Sequence, residues 1–371
     1  MAKHSRPPPI SPTRTGVLKL LLAFASAHAL VAPRRHTTHH RPLRAEKTSN
    51  GGLRLLEWLP SQKVLVTTAR WGWREIWRLM MSELAPQTAD GAYARPAPQR
   101  GTGATPALDA DGAYVLYAGN ACPWCHRAKL AVAVRGAEAL VRVVELDDDP
   151  AKARRGGWSF SAESPDPVFG AADLKGVYDE LGLEGRCTAP LLVDASGGFV
   201  SNESGDIVRA LVEYEGPGAA SDADLRPEAL RGAIDAWNDE IYESINNGVY
   251  RAGFATRQAP YERAVADVFA GLEAVDAALA RTAFVAGDAL SEADLRLLPT
   301  IERFDASYAP LFLRTTKTIR DDYPNIAAWK RRMRALPGVA DTVDVAAAAR
   351  SYYTSLFPLN PSGIVPVLVT D

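Results

Sequence analysis

Apolar and polar positions follow two periods along the middle of this chain. Tyr114 to Tyr117 is a short run of β-forming residues, and Val141 to Leu146 is a second. Between them, Pro123 to Arg135 repeats at helical spacing, with Ala128, Leu130, Ala131 and Val134 as its apolar positions. An irregular stretch over 150–172 leads to a helical segment, Asp173 to Leu181. Leu191 to Val193 and Phe199-Val200 then flank Ser196-Gly197-Gly198, the composition of a hairpin turn. Ser204 opens a helix that runs to Tyr214 and carries its cap. After a Gly, Ala and Asp linker at 215–225, only helical periodicity is present up to about residue 340. Its best local signal is Leu290-Ser291-Glu292-Ala293-Asp294-Leu295. There Ser291 and Asp294 have the spacing of a capping box, and Leu290 and Leu295 that of a hydrophobic staple.

The order βαβ then αββα is a thioredoxin-like arrangement. An α/β thioredoxin-like domain followed by an all-α domain is the plan of the glutathione transferases. The chain therefore divides into a leader (1–50), an extension with a Trp-rich helix and a loop (51–111), a thioredoxin-like domain (112–214), an all-α domain (226–340) and an irregular tail (341–371). In the extension, Trp71, Trp73, Trp77, Met80, Met81 and Leu84 suit an amphipathic helix packed on the main body. Gly101-Thr102-Gly103 is no phosphate loop, because no apolar strand precedes it and no helix comes after it.

Charge separates the leader from the rest. Of the 42 Lys and Arg, nine fall in the first 50 residues, where only one of the 44 acids does, so the net charge from position 51 on is -10. An acidic body gives no electrostatic support to nucleic-acid binding. The leader joins a basic start to an apolar run, Val17 to Val31, which is shorter than the ~20 residues that span a bilayer. Ala27-His28-Ala29 is a small-x-small cleavage pattern, and the basic, hydroxylated stretch Pro33 to Arg41 comes next. This order suggests a cleaved bipartite plastid leader, with no transmembrane segment in the mature protein. A secretory signal and a mitochondrial presequence are the alternatives.

Three cysteines, Cys122, Cys125 and Cys187, cannot form a disulfide framework. Cys122-Pro123-Trp124-Cys125-His126-Arg127 succeeds a strand and opens a helix. A thiol there faces unpaired amides and the positive end of the helix dipole, both of which favour the nucleophilic thiolate. Pro123 suits the first helical position. Cys125, nearly one turn on, is placed to resolve a mixed disulfide on Cys122; two buried structural thiols are the plainer alternative. His126, the single histidine after residue 50, reads as structural or surface, so a proton donor must come from elsewhere, and tyrosine is the natural candidate. No Cys or His cluster suggests a metal, and Asp147-Asp148-Asp149 reads as a solvated strand end.

Thr188-Ala189-Pro190 precedes the third strand. A cis proline there leaves backbone free for an extended peptide such as glutathione to add as a short strand. Glu203 can accept a γ-glutamyl ammonium, while the Ser204 hydroxyl and nearby amides receive the carboxylate. Trp158 is placed either over bound glutathione or in the core.

Taken together these residues resemble the glutathionyl-hydroquinone reductases, the Xi class of glutathione transferases, in a plant- or algal-type branch. The resemblance covers residues 112–366. It rests on Cys122-Pro123-Trp124, Gly157-Trp158-Ser159-Phe160, Gly185-Arg186-Cys187-Thr188-Ala189-Pro190 and Asn202-Glu203-Ser204. It rests further on Ile245 to Ala255 with its Asn246-Asn247-Gly248-Val249-Tyr250, on Arg303 to Tyr308, and on Asn360 to Pro366. The resemblance implies that Cys122 takes glutathione from a glutathionyl-hydroquinone as a mixed disulfide, which a second glutathione resolves. It implies that Tyr250 shuttles a proton with the aromatic substrate and that Tyr308 and Tyr352 help hold Cys122 as thiolate. Trp158, the backbone of Arg186, Cys187, Thr188 and Ala189, and the side chains of Glu203 and Ser204 match glutathione-binding positions. The co-substrate is glutathione and the assembly a homodimer. Cys125 stands where many members carry alanine, and it favours a rival reading as a glutaredoxin-like dithiol oxidoreductase or dehydroascorbate reductase. A non-catalytic glutathione-binding module would retain the fold but usually lose the nucleophile.

Overall fold

The computed structural model describes residues 62–96, 105–147, 157–219 and 223–368. The leader lies outside these residues. The chain divides into two compact units at Leu65. Of the first, only 62–65, the opening turn of helix α1 (Gln62–Leu84), are described; the sheet and all further helices belong to the second, Val66–Asp371.

Four strands form one sheet in the order β2-β1-β3-β4: β1 (Tyr114–Gly119), β2 (Val141–Leu146), β3 (Leu191–Asp194) and β4 (Phe199–Ser201). β1 pairs in parallel with β2 and antiparallel with β3 (Tyr117 opposite Leu191), and β3 pairs antiparallel with β4. Every residue of β1 is buried, because a central strand is covered on both faces. Its two-residue period then sorts side chains between two cores. Tyr114, Leu116 and Ala118 join one core with Leu192. Val115 and Tyr117 join the other, beneath α3 (Leu174–Glu180), with Leu174, Val177 and Tyr178.

The first core continues through α2 (Pro123–Arg135) and α4 (Ser204–Val212) into the helical domain. Ten of the thirteen residues of α2 are buried, His126 and Arg127 among them, so this helix has no free polar face. The left-handed Gly136 (φ 57°) ends it. The α4 cap departs from expectation. Glu203, not Ser204, holds the capping position, and its carboxylate accepts from the Gly205 amide at 3.0 Å. The extended backbone falls at Glu203 (φ -101°, ψ 115°), which leaves Ser204 as the first helical residue.

The helical domain comprises α5 (Arg231–Glu240), α6 (Gly248–Gly253), α7 (Gln258–Leu279), α8 (Glu292–Arg303), α9 (Ile319–Asp322), α10 (Pro324–Arg334) and α11 (Val345–Ser355). Wide π turns join α5 to α6 (Ile241–Asn246) and extend α8 (Phe304–Leu313). The predicted capping box is present: the Ser291 amide and hydroxyl both donate to Asp294 Oδ2 at 2.9 Å. The Trp329 indole N–H donates to Asp294 Oδ1 at 2.9 Å, so the same carboxylate ties α10 to the start of α8.

Two expectations are corrected. The stretch read as an irregular tail contains α11, capped by Asp344 at the Ala347 amide (2.8 Å) and propagated by an alanine run of high helix propensity. Helix α1 does pack through Trp77, Met81 and Leu84, and the Trp77 indole donates to the Pro358 carbonyl at 2.9 Å. Trp71 and Trp73, however, are 66% and 50% exposed. Trp71 lies off the i, i+4, i+7 stripe that Trp77, Met81 and Leu84 define, whereas Trp73, four residues before Trp77, continues that stripe beyond its packed part.

Candidate active site

Cys122 caps α2. Its backbone is extended (φ -78°, ψ 117°), and its sulfur accepts from the Cys125 amide at 3.5 Å. Pro123 takes the first helical position, where its missing N–H leaves no bond unmade. Burial raises the Cys122 pKa, but the Cys125 thiol, the Cys125 and Trp124 amides and the Arg303 charge outweigh it, bringing the thiol down to about 7. Cys125 shifts the other way. Burial first, then its hydrogen bond to Cys122 and that residue's charge, hold it far above the ordinary thiol range. Cys125 is thus the protonated donor of the pair and Cys122 the thiolate.

Arg303, at the end of α8, carries no role in the sequence beyond its place in a motif. It is 2% exposed. Its guanidinium donates to Asn120 O (2.7 Å), Ala121 O (3.2 Å), Pro299 O (3.0 Å) and His126 Nδ1 (2.9 Å). All four acceptors are uncharged, so a buried cation stands behind the Cys122 loop and, among the described residues, no carboxylate is bound to it. Such a charge is costly unless an anion is near, and the Cys122 thiolate is that anion. His126 is structural, one of the two roles expected of it, and is buried rather than on the surface. Because Arg303 can only donate, His126 Nδ1 accepts and Nε2–H donates to Thr342 Oγ1 at 2.9 Å. Thr342 in turn donates to Val339 O at 2.7 Å. Burial, then the Arg303 and Lys129 charges, push the imidazole pKa far down, consistent with this neutral tautomer.

Three tyrosines distant in sequence meet in one cluster. Tyr250 comes from α6, Tyr308 from the turn extending α8, and Tyr352 from α11. The hydroxyl separations are 2.6 Å (Tyr250–Tyr352), 2.7 Å (Tyr308–Tyr352) and 3.2 Å (Tyr250–Tyr308). Phe254 and Phe312 stack around them. Gly253 lets this happen, because a β-carbon there would sit 2.4 Å from the Phe312 ring. Burial is the leading cause that raises all three phenol pKa values, and neighbouring phenols and the Cys122 charge add to it at Tyr250. The phenols are therefore neutral donors. They bond one another, and the direct support of the thiolate comes from the amides, the Cys125 thiol and Arg303 instead.

Of the remaining predicted residues, Ala189 meets the thiol. Cys122 Sγ lies 3.6 Å from the Ala189 carbonyl, and the Ala189–Pro190 bond is cis. The Tyr178 hydroxyl engages the Thr188 amide (3.1 Å) and carbonyl (2.8 Å), so of this pair it is Ala189 whose amide has no partner among the described residues. Arg186 is exposed, and Cys187 is buried, its thiol pushed up to about 12 by burial. Trp158 packs on Gly119, where a β-carbon would fall 1.9 Å from the indole. Ser204 Oγ lies 3.4 Å from Glu203 Oε1. Trp124 neighbours Tyr242 and Tyr250, with the guanidinium of Arg127 at 4.4 Å and that of Arg95, from the extension, at 4.0 Å. Among the described residues no group of three or more His, Cys, Asp or Glu could hold a metal ion, and no helix is long and apolar enough to cross a membrane.

A thiolate at the first helix of a thioredoxin-like domain, roofed by an all-α domain, defines a cysteine-type glutathione transferase. The glutathione S-transferase N-terminal domain model matches residues 121–213, and the C-terminal domain model residues 258–332. The glutathionyl-hydroquinone reductase PcpF of Sphingobium chlorophenolicum is 38% identical over 69% of this chain and 82% of its own. The Xi glutathione transferase of Phanerochaete chrysosporium superposes with a TM-score of 0.69 at 33% identity, covering 76% of this chain and 94% of that one. The glutathione-bound YqjG structure from Escherichia coli K-12 gives 0.66 at 34% identity, covering 77% and 92%. The chain belongs to the glutathionyl-hydroquinone reductases, the Xi class of glutathione transferases.

Proposed function

We propose that this protein reduces glutathionyl-hydroquinones to hydroquinones with glutathione as co-substrate. The observation that carries this reading is a thiolate held at about 7 beside three neutral, mutually bonded phenols. Cys122 attacks the glutathionyl sulfur and the ring carbon–sulfur bond breaks. The bond breaks from the keto form of the ring, in which the sulfur-bearing carbon has taken a proton relayed from Tyr250 and the neighbouring hydroxyl has lost one. The electron pair passes to that oxygen, which is reprotonated, and the hydroquinone leaves. Glutathione then attacks the Cys122 mixed disulfide, restores the thiolate and departs as oxidised glutathione. The free Ala189 amide pairs with the cysteinyl backbone of glutathione, Trp158 covers it, the backbone of Arg186, Cys187 and Thr188 lines its path, and Glu203 with Ser204 receives the γ-glutamyl head.

The test is glutathione-dependent release of menadiol from glutathionyl-menadione reduced beforehand to its quinol, by the protein lacking residues 1–50, with Cys122→Ala alongside. Release by the parent alone supports the reading; no release by folded, reduced parent refutes it. A dithiol mechanism is the second reading, favoured by the Cys122–Cys125 hydrogen bond. It requires Cys125→Ser to lose turnover, whereas the main reading requires turnover to persist. We also propose a homodimer, supported by the family resemblance and checked by light scattering. Residues 1–50 act as a plastid leader in this reading, supported by their basic and apolar blocks; a leader fusion to a fluorescent protein that stays cytosolic would refute it.

A further inference from the structure

Arg95 belongs to the extension, outside both matched domain regions. Its loop is pinned to the helical domain by other residues. The Thr256 amide donates to Gly91 O at 2.9 Å, Gln87 Nε2 to Phe254 O at 3.0 Å, and Tyr93 packs edge-on against Phe254 at 5.4 Å. None of these anchors involves the Arg95 side chain. What they do is hold its guanidinium 4.0 Å from the Trp124 ring centroid and 6.0 Å from that of Tyr250. The side chain is half-buried, and among the described residues no hydrogen-bond acceptor or carboxylate meets it. A guanidinium carries five N–H donors in a rigid fork. Stacking on an indole satisfies the cation but none of the donors. Arg127 adds a second cation at the same indole and Arg303 a third beneath the thiol. Three cations thus converge at the mouth, with Glu203 as an acid facing Arg127, on a protein body whose net charge from residue 51 on is -10.

We infer that Arg95 is a catalytic residue that binds the ring oxygen of the quinol, donating to it as it becomes phenolate. This rests on the reductase reading above. In the keto tautomer of the substrate the sulfur-bearing ring carbon already holds the relayed proton and the neighbouring hydroxyl has lost its own. When Cys122 takes the glutathionyl sulfur, the electron pair of the broken carbon–sulfur bond passes to that oxygen, which is a phenolate until it is reprotonated. A fixed cation aimed at developing charge acts more strongly in the transition state than in the bound substrate.

The test compares parent, Arg95→Ala and Arg95→Lys on two substrates. Glutathionyl-menadione, supplied as its quinol, releases a phenolate. The mixed disulfide of glutathione and mercaptoethanol releases a thiolate and never charges a ring oxygen. Loss of one charged hydrogen bond predicts a fall of about tenfold to a hundredfold in kcat/KM for the first substrate, expressed mainly in kcat. Arg95→Lys should recover part of it, and the second substrate should be unchanged. Parental activity of Arg95→Ala on glutathionyl-menadione overturns the inference. So does an equal loss on both substrates, which assigns Arg95 a packing role, or a change confined to the KM for glutathione, which assigns it to the glycyl carboxylate. A parent inactive on glutathionyl-menadione would instead refute the reductase reading, so the two failures are distinct.

Discussion

Replacing Arg303 with glutamine should raise the pKa of Cys122. The guanidinium binds the carbonyls of the two residues preceding the cysteine. At roughly 7–10 Å and an effective dielectric near 20, a unit charge is worth about 1.7–2.4 kcal/mol, or roughly one to two pKa units. The parent thiol ionises at about 7, so the Arg303→Gln midpoint should lie at about 8–9. Activity depends on the thiolate, so the rate is low below the midpoint and rises with pH through it. The assay is the pH profile of Cys122 alkylation by iodoacetamide. The midpoint is read rather than one rate, because a more basic thiolate is also a better nucleophile. Arg303→Lys keeps the charge and loses the fork; its midpoint should stay near that of the parent while its melting temperature falls. An Arg303→Gln protein that is folded yet titrates at about 7 would refute the argument and leave the helix amides and the Cys125 thiol as the whole cause.

Other perturbations test separate parts of the site. Tyr250→Phe should lower turnover of glutathionyl-menadione about a hundredfold, within the range for a lost general acid, and leave reduction of the glutathione–mercaptoethanol disulfide intact in the same coupled assay. Cys125→Ala removes the thiol donor, the largest of the effects that lower the Cys122 pKa, but keeps the amide that bonds Cys122, so the alkylation midpoint should rise at least as far as for Arg303→Gln while menadiol release continues. Gly253→Ala drives a methyl to within 2.4 Å of Phe312, an overpacking that should cost about 1–3 kcal/mol in urea unfolding and weaken turnover by displacing Tyr250. Ser291→Ala removes the cap of α8 and should cost about 1 kcal/mol in the same unfolding experiment.

Much of the nucleophile's setting is legible in the chain, because it is local. A cysteine, a proline at the first helical position and a second cysteine within one turn specify a thiol facing helix amides, whatever surrounds them. The two-residue period of β1 and the capping box of α8 are local too, and both appear where the pattern puts them. Capping of α4 shows the limit of such reading. Glu203 and Ser204 are both able to cap, and only the backbone conformation decides between them.

What the chain alone determined is therefore the identity of the nucleophile and the order of elements, since hydrogen-bonded turns and side-chain periods are set by neighbours in sequence. Tertiary structure decided what surrounds that nucleophile. Arg303 reaches the Cys122 loop from more than 180 residues away, and Arg95 is delivered by a loop anchored at Thr256. Tyr250, Tyr308 and Tyr352 become one hydrogen-bonded cluster only when three helical segments converge, the last of them formed by a stretch that reads as irregular. Charges and phenols act on a thiol through space, and the spacing of residues along the chain does not encode those distances.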